Sequence, residues 1–65
     1  MRSTFAIYII EDEEGGLSVR ADSFGQGSNA LHLGLDVLRD MICTNEASGG
    51  AVTFMLPIDR SEHIQ

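Results

Sequence analysis

The run Phe5-Ala6-Ile7-Tyr8-Ile9-Ile10 is apolar on both alternations. In an extended strand, Phe5, Ile7 and Ile9 point one way and Ala6, Tyr8 and Ile10 the other. A strand of this kind needs cover on both faces, and a chain of 65 residues has little to cover it with. Domains of this length bury only about 60% of the surface that their unfolded chains expose. The core is therefore small, or a partner completes it. The run is too short for a membrane span, and it ends in Glu11-Asp12-Glu13-Glu14 with no small-residue cleavage site for a signal peptide. It reads as a first strand, Thr4 to Glu11.

The rest of the chain follows by periodicity. Asp12 to Gly16 is a hairpin turn, with Gly15 and Gly16 available for positive φ. Leu17 to Asp22 alternates cleanly, with Leu17, Val19 and Ala21 opposite Ser18, Arg20 and Asp22. One wet face is expected of an edge strand. A helix is expected from Asn29 to Cys43, capped by Ser28 or Asn29. Its apolar stripe is Leu31, Gly34, Leu35, Leu38, Met41 and Ile42, with Ala30 and Val37 at the margin. Gly34 costs that helix about 1 kcal/mol relative to Ala, and close approach of its turn to the sheet is the expected compensation. Ala51 to Leu56 reads as a third strand that Pro57 stops. Residues 1–57 then form a single domain and 58–65 a polar C-terminal tail. The fold class is α+β, in the order β-β-α-β. The doubly apolar first strand belongs at the centre of a three-stranded antiparallel sheet of order 2-1-3, with the helix on one face. The other face, with Ala6, Tyr8, Ile10, Thr53 and Met55, is left uncovered. An apolar sheet face of that kind marks an interface, for a homodimer or a docked partner, through this face or the third strand's edge.

Charge narrows the partner. Ten Asp and Glu stand against four Lys and Arg, giving a formal charge of −6. Every one of those four cations is an arginine. Nucleic-acid binding depends on cations neutralising phosphates, so direct DNA or RNA binding is not expected. The same sign suits a basic protein surface. The acidic residues that would meet it are Glu11, Asp12, Glu13, Glu14, Asp22, Asp36 and Asp40. A hydrophobic content of 43% is too high for a disordered acidic tail.

Chemistry is sparse. Read as an EF-hand loop from Asp12, the turn puts Leu17 where glycine belongs and Ser23 where the bidentate Glu should be. Gly25-Gln26-Gly27-Ser28 precedes a helix but lacks the further glycine and the Lys of a phosphate loop. His32 and Cys43 share a helix face about 16 Å apart, too far to share a metal or act as nucleophile and base. Neither a metal, a cofactor nor a catalytic residue set is expected, and the protein is read as no enzyme. Cys43, the single cysteine, cannot form an internal disulfide, which fits a cytoplasmic setting.

Three stretches carry a family resemblance: Ile9-Ile10-Glu11-Asp12-Glu13-Glu14-Gly15-Gly16-Leu17-Ser18-Val19, then Gly25-Gln26-Gly27, then Ala30 through Met41. Together they resemble the N-terminal domain of HicB-type antitoxins, over about half of the chain. That resemblance implies a small dimerising domain that sets an acidic surface against a basic, RNA-cleaving toxin. The segment before Gly25 is shorter than in that family, and the helix lacks a Glu-rich start. In its class, short, acidic and non-catalytic, the chain is also similar to phage-encoded anti-CRISPR proteins, some of which mimic the charge of nucleic acid. The leading expectation is a protein-binding inhibitor, encoded by a phage or mobile element, that occupies a nucleic-acid-binding surface. The alternatives are a HicB-like antitoxin and a structural oligomerisation module.

Overall fold

The structure is a computed structural model and describes residues 2–60. Strand β1 spans Thr4–Glu11, β2 Leu17–Phe24, helix α1 Ser28–Ala47, β3 Val52–Phe54 and β4 Ile58–Asp59. The α+β class holds, with one helix against a mixed sheet of four strands.

The sheet order differs from the expected one. β2, not β1, is central: β1 pairs with it antiparallel, from Thr4↔Phe24 to Glu11↔Leu17. Along its other edge run first β3 and then β4, both parallel to it, at Leu17↔Val52 and Asp22↔Ile58. The antiparallel order 2-1-3 is thereby corrected, and β2 is no edge strand. Its polar alternation, which suggested a wet face, is satisfied within the sheet instead. Arg20 lies over the Tyr8 ring, 4.8 Å from its centroid, and Asp22 is 3% exposed between Arg20 and Arg60. Asp59 and Ile58, assigned by sequence to the tail, form β4. The remainder of that tail, from residue 61, lies outside the described residues.

Local chemistry explains the hairpin. The Asp12 carboxylate accepts from the Glu14 and Gly16 amides at 2.9 and 2.8 Å. The Gly15 amide donates to the Asp12 carbonyl at 3.1 Å, and Gly15 has φ +85°. That left-handed residue after a tight turn lets the chain re-enter the ladder in register.

The helix is five residues longer than expected, beginning one residue earlier, at Ser28, and ending four later, at Ala47. Its N-cap is Gly27, which has no side-chain oxygen. The Gly27 amide donates instead to Ser3 Oγ at 2.7 Å, tying the helix start to the chain preceding β1. At the other end, Ser48 donates to the Thr44 carbonyl through both its amide and its hydroxyl. Asn45 accounts for the extra turn. Its side-chain amide donates to the Val52 carbonyl at 2.9 Å, and its oxygen accepts from the Val52 amide at 3.0 Å. A side chain is thus paired as a strand would be, and it sets where β3 begins.

Val19, Ala21 and Leu38 are the buried centre of the core, with Phe5, Ile7, Met41, Ile42, Val52 and Phe54 packed round them. Gly34 is buried against the sheet as expected: a Cβ there would overlap Phe5 Cδ1 and Cγ. The radius of gyration is 13.2 Å, against about 11 Å for a compact domain of this length. With an extent of only 14 Å along its shortest axis, the described residues form one helix on one sheet, and no helix or strand among them covers the far side of the sheet.

Substitutions at Gly34, Phe5 and Asn45 test these contacts. Gly34→Ala should destabilise by about 1–3 kcal/mol through overpacking, read from urea unfolding. Adding Phe5→Leu should recover part of that loss, since it vacates the clashing ring. Asn45→Ala removes two part-buried hydrogen bonds at once and should cost about 1–3 kcal/mol, seen as a lowered Tm with the helix signal retained.

Candidate protein-binding site

The hairpin carries Glu11, Asp12, Glu13 and Glu14 out to one end of the sheet, where all four are exposed. Asp12, Glu13 and Glu14 line a shallow hollow. Among the described residues, the ion pairs found involve Asp22 and Asp36 and none reaches this tip. Carboxylates left without cations so close together raise a local negative potential that favours a cationic partner. Asp12 has a second duty, since its oxygen also holds the turn closed.

The remaining acidic positions separate. Asp22 is not presented to any partner: its Oδ2 lies 3.7 Å from Arg20 Nη2 and its Oδ1 3.6 Å from Arg60 Nε. Oδ1 has no hydrogen bond, so the pairing is electrostatic and ties β4 to β2. Asp36 is exposed on the helix and paired with Arg39 at 3.2 Å. Asp40 is exposed on the same element. The negative surface therefore concentrates at the tip, with the helix acids as a separate, partly neutralised group.

The apolar residues are brought together as the sequence suggested, on the sheet face that α1 does not cover. Register places Ala6, Tyr8 and Ile10 of β1, Ser18, Arg20 and Asp22 of β2, and Thr53 of β3 on this face. Met55 follows, its amide bonded to the Val19 carbonyl at 2.9 Å. Tyr8, Ile10 and Met55 are exposed and Ala6 is half-buried. Reasoning from sequence missed three members. Ile58, opposite Asp22, extends the apolar rim, and Arg20 and Arg60 give the face a polar centre. Arg20 was findable, being two residues before Asp22 on the same side of a strand. Arg60 was not, because its contact depends on β4.

Among the described residues, no group of His, Cys, Asp and Glu is placed to hold a metal ion. No helix among them is long and apolar enough to cross a membrane. Breaking the clamp tests how the face is held together. Arg60→Ala leaves the buried Asp22 with a single arginine and should cost about 1–3 kcal/mol, with hydrogen exchange rising at Ile58 and Asp59 before the β1–β2 hairpin. Compared with protein-family models, with curated proteins and with solved structures, the chain matches none.

Proposed function

We propose that this protein acts without catalysis, as an inhibitor that occupies a basic, nucleic-acid-binding surface of another protein. The observation that carries this reading is the hairpin tip, where exposed carboxylates stand without internal cations beside an uncovered face with Tyr8, Ile10 and Met55. The two parts have different duties. Charges at the rim of an interface steer encounter and choose the partner, while desolvated aromatic and apolar side chains supply most of the affinity. Lys and Arg rows that bind phosphates would meet Glu11, Glu13 and Glu14, and the apolar face would pack behind them. An RNA-cleaving toxin, the partner that the HicB-type resemblance implies, is one target with such a surface.

The test uses the whole chain immobilised against an extract of its native host, with captured proteins identified by mass spectrometry. A nucleic-acid-binding protein is expected, released by moderate salt and displaced by its own nucleic acid. The double variant Glu13→Lys, Glu14→Lys should weaken that complex by about tenfold or more. Asp12 is left intact because the turn needs it. Recovery of the chain alone, or of a partner indifferent to the charge reversal, counts against the reading.

A further inference from the structure

The free edge of β1 offers a second surface, distinct from the acidic tip and the open face. Its backbone orientation follows from bonds at other points of the ladder. The Asp12 amide donates to the Gly16 carbonyl at 2.9 Å, so even-numbered β1 residues turn their backbone groups toward β2. Odd-numbered β2 carbonyls face the other way: Val19 accepts from Met55 and Ser23 from Arg60. Antiparallel ladders alternate in this manner. Phe5, Ile7, Ile9 and Glu11 consequently direct their N–H and C=O groups outward, and among the described residues no strand pairs with that side.

An edge of this length, with no charge from Thr4 to Ile10, is a template for another strand. We infer that the strand is β1 of a second copy, paired antiparallel about a two-fold axis through Ile7.

Three observations select that occupant and register. First, a two-fold axis normal to the sheet is the symmetry that joins two identical edges antiparallel, and it closes the assembly at a dimer. It keeps paired side chains on one face, so residue numbers in each pair sum to an even value. Centring on Ile7 pairs Phe5 with the second copy's Ile9 and forms roughly six new backbone bonds, two for each outward-facing pair.

Second, Ile9 is 68% exposed on the helix side of β1. Next to it a groove runs between β1 and α1, lined by Phe5, Ile7, Leu33, Gly34 and Val37. Leu33 is 67% exposed at its lip. In this register each copy's Ile9 sits across from Phe5 at the mouth of the other copy's groove. Leu33 and Val37, both exposed along that groove, then flank the seam. This also supplies the packing that a small core lacks.

Third, the charges agree. Arg2 comes opposite the acidic Asp12, and Glu11 opposite Ser3, with no like charges paired. The two hairpin tips lie at opposite ends, about 40 Å apart by strand rise, several Debye lengths at physiological salt. A net charge of −6 on each copy therefore opposes association little.

Sedimentation velocity of the whole chain under reducing conditions, from low-micromolar to sub-millimolar protein, tests the inference. Reducing agent removes any disulfide through the exposed Cys43. A monomer–dimer equilibrium is expected, changing less than threefold with salt and unaffected by Glu13→Lys, Glu14→Lys. It can thus fail or succeed independently of the proposed inhibitor role. Leu33→Glu, on the exposed helix surface, and Ile9→Pro, whose lost N–H faces outward, should each weaken the dimer about tenfold or more. Met55→Lys, on the open face but beyond β2 from the seam, should leave it intact. Circular dichroism checks that each variant folds, and Leu33→Glu carries the test if Ile9→Pro does not. The amides of Ile7 and Ile9 should exchange more slowly as protein concentration rises. A chain monomeric throughout, a dimer lost in Met55→Lys but kept in Leu33→Glu, or unprotected Ile7 and Ile9 amides in the dimer would overturn it.

Discussion

Pairing of β2 along both of its edges is the constraint on which the other elements depend. Val19 and Ala21 are the most buried side chains of the sheet, and a strand that deep cannot leave N–H or C=O groups unpaired. One edge is satisfied locally, by β1 through a short hairpin. The other is satisfied only after the chain has run through a twenty-residue helix and come back, and then in two pieces. β3 covers Leu17 to Val19 and β4 covers Asp22 and Ser23. Between them Met55 bonds to Val19, and the chain swings out through Leu56 and Pro57 before returning. The side-chain devices of the fold serve this second edge. Asn45 fixes the point of return, and the pair of arginines round Asp22 holds the last two residues in place.

Local features were readable from sequence because local forces set them. The bounds of β1, the start of β2, the glycine turn and the contact under Gly34 all follow from alternation, turn chemistry and helix period. Strand order did not follow, for a reason visible in β1. Apolar side chains on both alternations normally mean burial on both faces, yet Tyr8 and Ile10 are exposed and the strand stands at the edge. Conversely β2 looked half-wet because it carries Arg20 and Asp22. Their neutralisation requires Arg60, forty and thirty-eight positions further along the chain, which no local pattern signals. The extra helical turn was hidden likewise: Thr44-Asn45 has low helix propensity, and a tertiary bond to Val52 outweighs it.

The acidic residues divide by the same logic. Composition treats ten carboxylates as equivalent, whereas the structure gives them separate work. Asp22 is internal and neutralised, Asp12 closes a turn while keeping its charge exposed, and Asp36 is engaged with Arg39. Glu11, Glu13 and Glu14 carry charge at the tip on side chains that make no hydrogen bond among those described. The apolar surfaces divide as well: one faces away from α1 with a polar centre, the other borders the free backbone of β1. A protein with so small a core can use two separate faces because strands present both sides of a sheet and an edge besides.

The starting point of β1 and the end point of β4 have a practical consequence. Thr4 pairs with Phe24 on one side of β2, and Asp59 pairs with Ser23 on the other. The first and last strands thus meet the same end of the central strand, about 10 Å apart at two interstrand spacings. That end is opposite the acidic hairpin. The described chain therefore enters β1 and leaves β4 on the side away from the tip. A linker that spans this gap could join β4 to β1, and a circular permutant built in that way and opened at Gly49-Gly50 would keep every strand pairing while making the β2–β3 connection discontinuous.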